Sequence, residues 1–287
     1  MYPERVPVGV PHTTRVLFTD ADGQPADPDP GTVTVALTTS FNTPLELGEP
    51  EPTADTGVWQ IVIPVTVTAA LDRLRVTWEA TVAGTPRSYI REISVVSHLL
   101  FDLADARRDG LIPPQRASDD ELVRARTEVE RDLEQACGIG LARQLAVETV
   151  RCVHDGVIPL TFRQPAEEPE PITVRAAAIN DVALPALEVE TLDPRDYGAC
   201  YGPWTAGQRV RIAYEHGHSQ PPAGARRAAL ALARARLVPG PQDVRTTTIQ
   251  TEAGNVIAVQ PPAQDRPFAI PDVDAFVARY GERRRRA

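Results

Sequence analysis

The chain has 287 residues, 42% hydrophobic and 24% charged, enough for about two globular domains with real cores. Its formal net charge is -9, so the surface as a whole repels nucleic acid; the basic residues, all arginine, cluster only at Arg283, Arg284, Arg285 and Arg286. No run approaches the roughly 20 apolar residues of a membrane span, and MYPERVPVGVPHTT lacks the apolar core of a signal peptide, so no membrane partner is expected.

From Thr14 to about Ser97 the apolar residues alternate: Val16 and Phe18; Val33, Val35 and Leu37; Trp59, Ile61 and Ile63; Leu74, Val76, Trp78 and Ala80; Ile93 and Val95. Turn residues at Asp20–Gly23, Thr43-Pro44, Asp55–Gly57 and Ala83-Gly84 separate them. Short half-buried strands at such spacing predict an antiparallel β-sandwich that looks like an immunoglobulin-like module of the disulfide-free kind, with Trp78 as core anchor. Asp20, Asp22, Asp27 and Asp29 suggest a calcium loop, but the EF-hand spacing is absent and prolines interrupt the run, which favours a solvated turn. The chain's 3 cysteines, Cys137, Cys152 and Cys200, show no paired spacing and read as reduced thiols of a cytosol-assembled protein.

At Ser97 the period changes. A short helix is expected over 98–109, and Ser118-Asp-Asp-Glu121 reads as a capping box opening a helix over 119–137. Its stripe is Leu122, Ala125, Val129, Leu133 and Ala136; its other face carries Glu121, Arg124, Glu128 and Arg131. Strands return over 145–215, including Val147–Val153, Leu187–Leu192 and Val210–Tyr214, with 193–204 read as loop. After Glu215-His216-Gly217-His218, Pro221-Pro222 opens an alanine-rich helix over 222–238, whose Ala228, Ala231 and Ala235 are candidates for close packing. Beyond it, Thr246–Thr251 and Val256–Gln260 could pair as a hairpin, and Pro271 opens a last helix. Val273, Phe276, Val277 and Tyr280 form its apolar stripe; a helix of about ten residues is marginal in water, so the stripe is expected to dock on a partner.

The order E-V-E-R-D-L-E-Q-A-C-G, then V-R-I-A-Y-E-H-G-H, P-P-x-x-x-R-R-A-A-L-A-L-A and a closing I-P-D-V-D-A-F-V-A-R-Y resembles the head-to-tail connector, or adaptor, proteins of long-tailed bacteriophages. The resemblance covers Ser97 to Ala287. Added to the Ig-like sandwich read at 1–97, it implies an α+β multidomain chain with a helical connector core at 98–240, its small β-sheet inserted at 145–215, and an extended C-terminal arm at 241–287. It further implies a virion structural protein, assembled in the host cytoplasm. Its homo-oligomeric ring, of twelve copies, lies in the neck under the portal protein. Double-stranded DNA passes through the ring's lumen without specific binding, and the lower face meets the stopper or a tail protein. The stripe Val273, Phe276, Val277 and Tyr280 with Arg283 to Arg286 is then the portal-docking segment, and Ala228, Ala231 and Ala235 are the ring-packing residues.

Other functions are weaker. A hydrolase would draw on His154, Asp155, Asp196, Cys200, His216 and His218, and His216 and His218 could both face a metal from a strand end. Yet no H-E-x-x-H, G-x-S-x-G or nucleotide-binding glycine loop appears, so no catalytic residue, metal or cofactor is expected. A carbohydrate-binding protein lacks an obvious aromatic platform, despite Trp59, Trp78 and Trp204. Other neck or tail-completion proteins remain the nearer alternative.

Overall fold

The computed structural model describes residues 3–162, 171–195, 198–238 and 267–281, together with the backbone of 248–250 and 256–258. In chain order the first strands are β1 (Glu4–Pro7), β2 (His12–Leu17), β3 (Thr34–Thr38), β4 (Pro44–Leu45), β5 (Glu51–Pro52), β6 (Val58–Ile63), β7 (Asp72–Val82) and β8 (Thr85–Val96). Helix α1 (Leu103–Arg107) runs into a single 3-10 turn, and α2 (Asp119–Cys137) follows. Next come β9 (Gln144–Arg151), β10 (Val157–Pro159), β11 (Thr173–Ile179), β12 (Val182–Ala183), the one-turn helix α3 (Ala186–Val189), β13 (Asp193–Arg195), β14 (Ala199–Tyr201) and β15 (Arg209–His216). The chain then forms α4 (Ala225–Leu237), β16 (Thr248–Gln250), β17 (Val256–Ala258) and α5 (Pro271–Gly281). No helix among the described residues is long and apolar enough to cross a membrane.

These elements form two compact units, one of the strands β1 to β15 and one holding α1, α2, α4 and α5. In the strand unit a nine-stranded sheet runs β12-β11-β15-β9-β8-β7-β3-β4, with β1 added in parallel to β8; the other pairings are antiparallel. Because successive side chains of a strand point to opposite faces, Leu74, Val76, Trp78, Ala80 and Val82 of β7 all enter one core. A second sheet, β2-β6-β5, closes that core with Val16, Ile61 and Ile63. Phe18 meets Tyr89 edge to face at 5.5 Å and 82°. The N-terminal strands therefore make two sheets over one core, as the alternation predicts. On the opposite face of β7 and β8, Arg73 and Arg75 share Glu92 at 2.9 and 3.5 Å.

The strands over 145–215 do not make a separate inserted sheet. They continue the N-terminal sheet through the pair Val96 and Gln144, after which β15 lies along the whole of β9 and β11 along β15. Only β10, β14 and β13 stand apart, as a three-stranded sheet. Periodicity identifies a strand but not its neighbour, and here the neighbour lies 48 residues away in sequence, across α2. Locally, the stretch expected as a strand at Leu187–Leu192 contains α3, and the expected loop 193–204 contains β13 and β14. Asn180 and Asp181, residue types that tolerate positive φ, have φ 49° and 69° and join β11 to β12.

The helical unit is built on α2. Ser118 Oγ accepts from the Glu121 N–H and Glu121 Oε2 accepts from the Ser118 N–H at 2.7 Å, the expected capping box. Those hydrogen bonds hold the Glu121 carboxyl below its usual range. Gly138, in the left-handed region at φ 72°, ends the helix. Leu122, Val129, Leu133 and Cys137 of α2 share a core with Ala225, Ala228, Ala229, Leu232 and Ala233 of α4. Helix α4 begins at Ala225, three residues later than Pro222 suggests, because Gly224 at φ 86° interrupts the approach. Similarly, α1 spans only Leu103–Arg107 of the expected 98–109.

Candidate functional site

Helix α5 starts on Pro271, with Asp272 and Asp274 in its first turn and Arg279 in its last, charges that suit the helix dipole. Asp274 Oδ1 accepts the Phe268 N–H at 3.0 Å and fixes the entry. The resulting helix presents Val273, Phe276 and Tyr280 to the core shared with α2 and α4, where all three are buried, and Val277 packs at its margin. The Phe276 and Tyr280 rings lie 4.8 Å apart, tilted by 41°, and His218 meets Tyr280 edge to face at 6.3 Å. The expectation that Val273, Phe276, Val277 and Tyr280 await an external partner is therefore corrected: the stripe finds its partner in its own chain. A marginal helix needs an apolar surface to dock on, and α2 and α4 supply it. Arg283, Arg284, Arg285 and Arg286 lie outside the described residues.

The alanine candidates divide. Ala228 is wholly buried in the core of its own unit, which removes it from any contact between copies. Ala231 packs at the margin of that core and Ala235 is half-buried, so both retain accessible surface. The helix turns 3.6 residues per cycle, and the buried face is accordingly Ala225, Ala228, Ala229, Leu232 and Ala233.

The histidine and cysteine candidates occupy different surroundings. His216 is the last residue of β15, buried, with its ring 5.7 Å from that of Tyr214. Burial, reinforced by the Arg5 and Arg143 guanidiniums, pushes its pKa down to about 3, so it is neutral at ordinary pH. His218 belongs instead to the helical unit, where its backbone N–H donates to the Gly140 carbonyl at 3.3 Å. Burial raises the Cys200 thiol to about 12, helped by Asp193, which leaves it protonated and a poor nucleophile. Asp155 Oδ1 accepts the Ala206 N–H at 2.7 Å, and His154 bridges to Val157 in the same turn. Asp196 lies outside the described residues. Among the described residues no group of at least three His, Cys, Asp or Glu is placed to hold a metal. The aspartates of the N-terminal loops hold turns together: Asp20 accepts from Asp22 and Gln24, Asp27 from Gly57 at 2.6 Å, and Asp29 from Gly84 at 3.0 Å.

The strand unit holds a buried charge cluster that the alternation did not reveal. Glu215 receives Arg143 Nε at 3.2 Å and Arg175 Nε at 2.6 Å, using both carboxylate oxygens. Arg143 also donates to the Pro171 carbonyl at 3.1 Å and to Thr173 Oγ1 at 3.3 Å. Val210, Ile212 and Tyr214 alternate inward on β15, so Glu215 should face solvent; it is buried because β15 is covered on both faces, as buried Ala213 also shows. Nearby, the Tyr214 hydroxyl donates to Glu148 Oε1 at 2.5 Å, while Glu148 Oε2 accepts the Thr161 N–H at 3.1 Å. Chemically these groups position backbone: each carboxylate is engaged by donors that pin a strand end or loop.

Helix α2 carries a second buried polar stripe. Glu130 Oε1 accepts the Leu100 N–H at 2.8 Å, Glu134 Oε1 accepts the Leu141 N–H at 2.9 Å, and Arg126 reaches the Phe101 carbonyl at 3.4 Å. Arg126, Glu130 and Glu134 recur every four residues and so share one face of the helix. The charged ladder Glu121, Arg124, Glu128 and Arg131 is exposed.

No protein-family model matches this chain. No curated protein matches it either.

Proposed function

We propose that this chain is a structural virion protein, a head-to-tail adaptor whose copies form a ring under the portal, and not an enzyme. The observation that carries it is convergence. The segments whose order resembles the connector family, in α2, α4 and α5, are far apart in sequence yet share one helical core. The strand segment ending in V-R-I-A-Y-E-H-G-H supplies β15 and Gly217, the last strand and turn before α4. In this reading the N-terminal two-sheet core is an Ig-like accessory module, and the C-terminal residues after α5 reach the portal. The buried neutral His216 and the protonated Cys200 suit scaffolding better than acid-base or nucleophilic chemistry.

The ring extends the DNA channel, and the net charge of -9 lets DNA slide past without being held. The stopper or a tail protein takes the lower face. Deleting Arg283 to Arg286 tests the portal contact: weakened capsid attachment is expected, with α5 still folded, and unchanged attachment would count against that role. Finding the chain at a tail tip or another neck position would favour the alternative of a different neck or tail-completion protein.

A further inference from the structure

Helix α5 occupies a seat that the rest of the helical unit builds without it. Val273, Phe276 and Tyr280 enter the core of α2 and α4, and Asp272 of α5 meets Arg227 of α4 at 2.9 Å. At the far end Gly281 passes so close that a Cβ there would lie 3.4 Å from the Ala136 carbonyl oxygen. The seat itself is tied by other pairs: Arg236 of α4 to Asp132 and Glu128 of α2, and Arg226 of α4 to Asp105 of α1.

The covalent link between helix and seat is long. Helix α4 ends at Leu237 and α5 begins at Pro271, with 33 residues between them. At about 3.3 Å per residue such a stretch spans up to roughly 100 Å. Loop-closure entropy rises only with the logarithm of length, and a flexible tether holds its end at an effective concentration of about millimolar. Chain connection therefore gives little preference for a helix's own seat over an identical seat on a copy held beside it. What α5 does need is a seat, because a helix of its length is marginal in water.

We infer that on assembly α5 of each copy passes from its own seat to α2 and α4 of the next copy, making the same Val273, Phe276 and Tyr280 contacts and the same Asp272 to Arg227 pair. The inference rests on the ring-forming function proposed above and names the contact that joins neighbours. Exchange of an identical element loses no contact, and because helix and seat are different parts of the molecule, the contact repeats head to tail and closes into a ring. In the free copy the stripe stays covered by its own chain.

The test uses Arg227→Cys and Asp272→Cys as separate full-length proteins. Both native side chains are largely solvated, 78% and 44% exposed, so each change costs little stability. Cys137, Cys152 and Cys200 are buried, which keeps them from a short bifunctional thiol reagent. The two proteins are mixed while free, concentrated until sedimentation velocity shows assembly, treated with the reagent and run on a denaturing gel. In this mixture the two new thiols meet only where α5 of one copy lies on α4 of another. Covalent dimers are expected in the assembled fraction and are lost on dilution to free copies. A chain carrying both changes should link within itself when free and give a ladder of linked chains when assembled. Assembly without covalent dimers, while that double variant still links within one chain, overturns the exchange and leaves the ring standing. No link in the double variant in either state overturns the Asp272 to Arg227 contact and the exchange with it. No assembly at any concentration overturns the exchange and puts the ring-forming function in doubt as well.

Discussion

A Cβ built on Gly217 would lie less than 3.0 Å from the carbonyl oxygen of Ala142 and 3.2 Å from that of Gly140. Gly217 has φ 99°, a conformation that other residues adopt only with strain. The chain thus passes from β15 toward α4 against the backbone that follows α2, and only glycine fits. Gly217→Ala should therefore destabilise the protein by about 2 to 4 kcal/mol in urea unfolding. Gly84, with φ 76° but nothing within 4 Å, is the control: Gly84→Ala should cost only about 1 kcal/mol, from backbone strain alone. Equal costs would mean that the approach to Ala142 carries no weight.

His216 should make stability depend on pH. Its folded pKa, about 3, lies below the ordinary 6.5, so the unfolded chain takes up a proton first as pH falls. Stability is full above about pH 6.5 and is lost on acidification at about 1.4 kcal/mol per pH unit until the folded form also protonates. Unfolding free energies from urea titrations at pH 7 and pH 5 should differ by about 2 kcal/mol more in the wild type than in His216→Gln. An identical pH dependence would show that burial does not keep the imidazole neutral.

Glu215 and Arg143 are both buried, so removing one charge strands the other. Glu215→Gln should cost about 3 to 5 kcal/mol in equilibrium unfolding. Arg175, whose side chain is 56% exposed, should matter far less, with Arg175→Gln costing under about 1 kcal/mol. A reversed order would mean that the exposed arginine, not Arg143, satisfies the carboxylate.

Phe276→Ala should lower stability by about 3 kcal/mol and expose the α2 and α4 core, read as earlier thermal unfolding of the full chain. Ala228→Leu should cost about 1 to 3 kcal/mol by overpacking the same core. Ala235→Leu, at a half-buried site, should leave the monomer near wild-type stability and reveal any effect only in assembly. A Phe276→Ala protein as stable as wild type would return α5 to the role of an undocked arm.

Much of the fold follows from local patterns. The alternation in β7 predicts Trp78 in the core, the Ser118 and Glu121 pair predicts the start of α2, and Asn180-Asp181 predicts the turn between β11 and β12. Each is a signal contained in a few neighbouring residues. What the pattern does not carry is partnership over long separations. The pairing of Val96 with Gln144 merges two strand regions into one sheet, and the packing of Phe276 on α4 removes an apparent docking stripe. Glu215 and Glu130 escaped for a related reason. A carboxylate among apolar neighbours reads as a solvent-facing residue until the groups that donate to it, Arg143 or the Leu100 backbone, are placed beside it.

The proposed adaptor function is tested most directly by a cryo-EM reconstruction of the particle that copurifies with this chain. Density for its two units repeated as a closed ring between portal and tail, with the DNA channel through the centre, is the predicted result. A chain absent from the neck, or a purified monomer with catalytic turnover, would contradict the adaptor function.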